Sequence, residues 1–128
     1  MVNVLDLIGI ILISALFLIS AVNKIFNLED SMSWMEGFGV TGFLIFPAIA
    51  IEIILPVLVI VGFRARVAAG ILAIFCLTTA FLFHLDFSSQ TQLISFLKNI
   101  GLAGGFLFIV TNGTKDWAVD KEKKYVRL

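Results

Sequence analysis

Four long apolar runs constrain the fold of this 128-residue chain more than any other feature. They cover residues 4–22, 42–62, 67–85 and 93–111. Each run is close to the about 20 apolar residues that a helix needs to cross the core of a bilayer, and each is too long for a strand. Because backbone groups in lipid must find partners within their own segment, we predict four transmembrane helices. The hydrophobic fraction of 60% agrees, since soluble domains are about 45–50% apolar.

The expected fold is all-α and integral to the membrane: an antiparallel four-helix transmembrane bundle in residues 1–112, followed by a charged cytoplasmic tail in 113–128. Residues 25–41, between the first two helices, place apolar side chains near helical spacing and polar ones on the other face. This pattern predicts a short interfacial helix anchored by Trp34. A signal peptide is the rival interpretation of the first span. No Lys or Arg precedes that span and no clear cleavage site follows it, so we expect a retained helix.

The distribution of basic residues predicts the orientation. With four spans, the N-terminus, the turn at 62–67 and the tail share one side, which carries seven of the nine Lys and Arg residues. The positive-inside rule then places both termini in the cytoplasm. Arg64 and Arg66, in the short turn, are candidate topology and lipid-contact residues. The formal net charge is zero and gives no argument for a nucleic-acid partner, so none is expected.

Glu52 is the single charged residue in the apolar stretch 48–62. A carboxylate at the middle of a membrane helix costs about 2.5–3.5 kcal/mol on insertion scales. Its side chain should therefore face the bundle interior and be either neutralised or paired. Three residues toward the outer face are candidate partners: Lys24 at the end of the first helix, His84 at the end of the third and Lys98 near the start of the fourth.

These charged residues and two neighbouring asparagines predict a polar pocket in the outer half of the bundle. Glu52 and His84 are the candidate catalytic groups, with a proton-handling role. The candidate ligand-binding residues carry amino or carboxamide groups: Lys24, Lys98, Asn99 and Asn23. The alternative is structural, because a Glu–Lys pair between helices can simply fix packing and a histidine at a helix end can be an ordinary solvated side chain.

Small residues predict close helix contacts in the second half of the chain. Gly101 and Gly105 form a GxxxG pattern, and alanines with the same spacing occur in the third span at 65, 69 and 73. Pairing of the third and fourth helices brings His84 and Lys98 near each other. The chain has no phosphate loop and no soluble-enzyme motif. One cysteine, Cys76, and one histidine give no metal-ligand spacing, so no metal site is predicted.

Several stretches share an order and spacing with a known family. They are "FLISAVNKIFN" (17–27), Glu52, "GFRAR" (62–66), "FHLDF" (83–87), "KNIGLAGGFLFI" (98–109) and "WAVD" (117–120). Together they resemble the DoxX family of small four-helix bacterial membrane proteins over nearly the whole chain. The chain departs from the family pattern near Asp6, where Arg is common, at Ala21, where Gly is common, and at Thr41, where Pro is frequent.

The resemblance implies a bacterial inner-membrane location and a link to quinone-dependent sulfur oxidation and redox-stress complexes. The residues that match the family's polar positions are Lys24, Glu52, Arg64 or Arg66, His84, Lys98 and Asn99. The expected function is a quinone-linked oxidoreductase subunit. Quinone is then a candidate cofactor, and redox proteins or a second copy of the chain are candidate partners besides the bilayer. The alternatives are a non-enzymatic scaffold or small-molecule and lipid-binding module of a larger complex, and a small transporter.

Overall fold

The computed structural model describes residues 2–112, and every regular element in this range is helical. Its α-helices are α1 (Val2–Phe26), α2 (Leu28–Glu36), α3 (Ile45–Val61), α4 (Ala65–Phe83) and α5 (Gln90–Asn112). A 3₁₀ turn, Gly42–Leu44, precedes α3. The segments Val4–Phe26, Gly42–Val61, Ala65–Phe83 and Gln90–Asn112 are long and apolar enough to cross a membrane. The predicted four-helix transmembrane bundle is confirmed, and the charged tail at 113–128 lies outside the described residues.

Among the differences from the predicted helix boundaries, two bear on the polar residues of the chain. The first helix continues to Phe26, past the predicted end at residue 22, because the added turn contains no Gly or Pro. Lys24 lies in that turn, where a cation interacts favourably with the helix dipole. The last helix begins at Gln90, earlier than the predicted residue 93. The hydroxyl of Ser89 accepts a hydrogen bond from the backbone N–H of Gln92 at 3.4 Å and so caps this start.

The turn between α3 and α4 is three residues long and makes these helices antiparallel neighbours. The backbone N–H groups of Gly62 and Phe63 both donate to the Leu58 carbonyl at 3.0 Å, which closes the end of α3. Gly62 has φ 77°, a left-handed conformation that glycine adopts without a steric penalty. Arg64 also has a left-handed backbone, with φ 48°, and starts α4.

The helices pack in chain order, with α1 against α3, α3 against α4 and α4 against α5 in the most extensive contact. Alanines allow α4 to approach its neighbours closely, since Ala65, Ala69 and Ala73 are all buried. The ring centroids of Phe17 and Phe106 lie 5.5 Å apart, so α1 also meets α5. The last two membrane helices therefore pair as predicted, but the α5 glycines do not form this contact, since Gly105 approaches Ile13 of α1 instead.

Two apolar clusters hold the bundle. The larger one joins α1, α3, α4 and α5 and includes Phe17, Leu72 and Phe106. The smaller one, Met35, Ile45 and Phe83, fixes the short interfacial helix α2 across one end of the bundle, called here the α2 end. Apolar side chains such as Leu12, Ile19 and Ile74 remain exposed on the outer faces, as expected for helices that contact lipid.

Candidate functional site

Lys24 and Glu52 form an ion pair between α1 and α3. The Lys24 Nζ atom lies 2.8 Å from Oε1 and 2.9 Å from Oε2 of the carboxylate. The same nitrogen donates a hydrogen bond to the Ser20 hydroxyl at 2.9 Å. An ammonium group has three N–H donors, and these three contacts use all of them. The mid-membrane carboxylate is thus paired and directed away from the hydrocarbon.

Local helix geometry explains how the pair forms. Ser20 and Lys24 are four residues apart on α1, so both side chains lie on the same face of that helix. This face packs against α3, where Glu52 is buried with 4% of its surface exposed. The Lys24 side chain is 26% exposed, whereas the Glu52 side chain is 5% exposed. Removing the lysine would therefore leave a nearly enclosed charge uncompensated.

A cavity of about 680 Å³ adjoins this ion pair and is called here the Glu52 cavity. All five helices line it, between the two apolar clusters and toward the α2 end. Its walls combine apolar side chains such as Phe17, Ile51 and Leu102 with polar groups. The volume falls within the range of about 300–1,000 Å³ that is common for small-molecule sites. The lining fits a ligand with a polar head and an apolar body.

The structure brings all six of the predicted pocket residues to this cavity. These residues are Lys24, Glu52, Asn23, His84, Lys98 and Asn99. Of the three candidate partners for Glu52, only Lys24 contacts it. Lys98 is exposed along the cavity wall and makes no hydrogen bond or ion pair within residues 2–112. Its ammonium group therefore retains donors for a ligand.

Asn99 and Asn23 are held by neighbouring polar groups. The Asn99 Nδ2 atom donates to the Thr79 hydroxyl at 3.3 Å, across the α4–α5 contact. Thr79 in turn donates to the Cys76 carbonyl at 3.1 Å. The Asn23 side-chain oxygen accepts a hydrogen bond from Asn27 at 3.1 Å near the end of α1. The orientation of Asn99 is thus fixed, and its amide keeps a second N–H.

His84 follows α4 at the α2 end. Its Nδ1 atom lies 2.9 Å from the Oε1 atom of Gln92, and because a carboxamide oxygen is an acceptor, Nδ1 is the donor. In the neutral ring the Nε2 atom then accepts a proton. The His84 ring centroid is 6.2 Å from that of Trp34, which also packs on Phe83 at 4.8 Å. His84 therefore has a defined tautomer at the rim of the cavity.

Arg64 and Arg66 do not join this site. Both follow Gly62 at the end of the bundle opposite α2, and neither lines the Glu52 cavity. The Arg64 guanidinium carbon lies 6.0 Å from the centroid of the Phe63 ring. Within residues 2–112, no group of three or more His, Cys, Asp or Glu side chains is arranged to hold a metal ion.

Sequence reasoning missed several residues that line the cavity or hold its lining side chains. Ser20 is the clearest, because its spacing of four from Lys24 was visible in the sequence. Thr79 and Gln92, which orient Asn99 and His84, carried no such signal. The GxxxG prediction was correct only at Gly105, where an added Cβ would lie 2.6 Å from the Ile13 Cδ1 atom. Gly101 meets no atom within 4 Å, because that part of α5 borders open space.

Comparisons with known proteins give consistent results. The profile of the DoxX family matches residues 5–85 of the chain. The inner membrane protein YqjF of Escherichia coli (strain K12) is 33% identical over 115 residues, which cover 90% of this chain and 88% of the relative. No solved structure matches the chain. The family match spans the first four helices and includes Lys24, Glu52 and His84.

Proposed function

Because this chain belongs to the DoxX family and has four membrane-spanning helices, we propose that it is an inner-membrane, quinone-binding subunit of a membrane oxidoreductase. The relative that shares 33% of its residues is named an inner membrane protein. The Glu52 cavity is the proposed site for the quinone head group. Residues 1–112 form the membrane domain of this proposal, and the charge bias supports a cytoplasmic tail at 113–128 with both termini inside.

One observation carries the proposal: a membrane-embedded cavity combines apolar walls with a lysine that has unused donors. A quinone ring presents two carbonyl acceptors and an apolar body. Lys98 supplies ammonium donors, and the amide of Asn99 supplies another N–H beside it. Lys24 is a weaker candidate for this contact, since Ser20 and Glu52 already occupy its donors.

The same residues suggest a division of roles during quinone reduction. The quinone gains two electrons, which a redox partner protein must supply, and two protons. His84 can pass a proton from the surface through Nε2, because Gln92 holds its Nδ1 as a donor. Glu52 can accept or release a proton only if its ion pair with Lys24 loosens. His84 is thus the more accessible proton carrier and Glu52 the deeper one.

A second candidate function is favoured by the closed geometry of the ion pair. Lys24 and Glu52 satisfy each other within the bundle, as a purely structural pair does. On this interpretation the chain is a scaffold or lipid-binding module of a larger complex, and a second copy of the chain or a redox protein is its partner. Quinone would then be absent from the Glu52 cavity.

Mass spectrometry of quinone retained by the purified protein tests the proposal. Wild-type protein should retain an isoprenoid quinone near one molecule per chain, and Lys98→Met should retain much less. Asp86→Asn is the matched control, because Asp86 is exposed in the α4–α5 loop and does not line the cavity. No quinone in the wild-type protein would refute quinone binding and favour the scaffold. Equal retention in Lys98→Met and wild type would refute the proposed contact with Lys98 in the Glu52 cavity.

A further inference from the structure

A second cavity, called here the Asp6 cavity, lies at the end of the bundle opposite α2. Its volume is about 340 Å³, and α1 and α5 form its walls. Leu5, Ile10 and Phe108 give it an apolar lining, and Asp6 and Asn112 give it polar groups. None of its lining residues is shared with the Glu52 cavity. The two cavities are therefore separate sites, although α1 and α5 contribute to both.

One oxygen of the Asp6 carboxyl group has no partner in this cavity. Its Oδ2 atom is buried and has no hydrogen-bond partner among the residues that the structure describes. Among the described residues, no Lys, Arg or His lines the cavity. Asp6 also lies near the start of the membrane-spanning segment Val4–Phe26, and a buried carboxyl oxygen without a partner is unfavourable. A cation from outside the bundle would supply that partner.

The lining residues suit an organic ammonium group better than a divalent metal ion. Ca²⁺ and Mg²⁺ need about six oxygen ligands, whereas the cavity offers the Asp6 carboxylate and the Asn112 amide oxygen. The Asn112 amide nitrogen donates to the Phe108 carbonyl at 2.9 Å, which fixes the orientation of this side chain. A primary ammonium group needs only a few acceptors, and its apolar substituent suits the remaining walls.

We propose that the Asp6 cavity binds the ammonium head group of an aminophospholipid, with Asp6 as its counter-ion and Asn112 as a second acceptor. The depth of the site supports a lipid source. Asp6 is four residues after the start of α1, about 6 Å along the helix axis, which is near the head-group level of a bilayer. The acyl chains then lie against the exposed apolar side chains of α1 and α5, such as Leu12 and Phe108.

Native mass spectrometry of the full chain, released from nanodiscs with equal amounts of phosphatidylethanolamine and phosphatidylglycerol, tests this proposal. Wild-type protein should retain phosphatidylethanolamine preferentially. Asp6→Asn keeps the side-chain shape but removes the charge, and should weaken phosphatidylethanolamine binding about tenfold or more. Gly9→Leu should also abolish the preference, because a Cβ at Gly9 meets no atom within 4 Å and a larger side chain there fills the cavity. Asp86→Asn, at the other end of the bundle, should match wild type.

Each alternative result is decisive. Equal retention of the two lipids by wild-type protein would overturn the proposal. A preference that survives Gly9→Leu would place the lipid elsewhere. Octylammonium, with octanol as the uncharged control, tests a free amine, and saturable octylammonium binding without lipid preference would contradict the lipid source. Quinone retention at the Glu52 cavity should be unchanged in Asp6→Asn, so failure of one proposal leaves the other intact.

Discussion

The Nζ atom of Lys24 lies 2.8 Å and 2.9 Å from the two carboxylate oxygens of Glu52, and so ties α1 to α3 beside the larger cavity. Ser20 completes the hydrogen bonding of the ammonium group. The ion pair neutralises the α1–α3 side of the cavity, whereas Lys98 of α5 keeps unused ammonium donors. Stability and ligand binding should therefore depend on different lysines.

The ion pair predicts unequal costs for its two partners. Lys24→Met leaves the Glu52 carboxylate buried without a counter-charge and should lower the free energy of unfolding by about 3–5 kcal/mol. Glu52→Gln leaves Lys24, which is more exposed and keeps Ser20, and should cost about 1–3 kcal/mol. Urea or sodium dodecyl sulfate unfolding in mixed micelles, followed by circular dichroism, measures both values.

The double variant Lys24→Met, Glu52→Gln is the control for this prediction. It removes both charges, so its cost should be smaller than the sum of the two single costs. Additive costs, or a larger loss from Glu52→Gln than from Lys24→Met, would show that the pair does not neutralise a buried carboxylate.

Trp34 should report on occupation of the Glu52 cavity, because it is part of the lining. The chain has two tryptophans, and Trp117→Phe leaves Trp34 as the single indole. In that background, a short-chain ubiquinone should quench the fluorescence saturably. Adding Lys98→Met should raise the half-saturating quinone concentration about tenfold, the loss expected for a hydrogen bond to a charged donor. Linear quenching that is identical in both proteins would indicate quinone dissolved in the membrane instead.

The contact between α1 and α5 predicts that Gly105 tolerates little added volume. An added Cβ lies 2.6 Å from the Ile13 Cδ1 atom, so Gly105→Val should cost about 1–3 kcal/mol through overpacking. Ile13→Ala in the same chain should restore part of that loss. Gly101→Val is the matched control, since no atom lies within 4 Å of a Cβ there. Equal unfolding midpoints for the two valine variants would argue against a close α1–α5 contact.

The orientation proposal predicts a specific labelling pattern. Cys76 is the single cysteine, so Cys76→Ser gives a background for new thiols. In intact spheroplasts, Ser88→Cys in the α4–α5 loop should react with an impermeant maleimide. Phe63→Cys, in the α3–α4 turn, should react only after the membrane is opened. The reverse pattern would place both termini outside and contradict the positive-inside interpretation.

The apolar runs were sufficient to predict the bundle, because membrane helices must satisfy their own backbone and therefore leave a strong length signal. The helix ends were harder to predict. Lys24 and Asn23 lie inside α1, although a polar pair after an apolar run looks like the start of a loop. Ser89 begins α5 through a local hydrogen bond that composition does not reveal.

The sequence reduced the candidate partners of Glu52 to three but did not select one of them. Lys24, His84 and Lys98 were all candidates, because all three lie toward the same end of the bundle. Helix adjacency decides among them, and periodicity carries no information on which helices are neighbours. In the fold, α1 packs directly on α3, whereas Lys98 belongs to α5 on the far side of the cavity. The Asp6 cavity also escaped prediction, since it depends on how α1 and α5 approach each other.

Photo-crosslinking with an azido-quinone is the sharpest test of a quinone site in the Glu52 cavity. The full chain is labelled in its membrane, and the modified peptides are mapped by mass spectrometry. We expect adducts on the part of α5 around Lys98 and on the facing part of α1, both removed by excess unlabelled quinone. Adducts confined to lipid-facing positions such as Ile19 and Ile74, and unchanged by competitor, would contradict a quinone site in the Glu52 cavity.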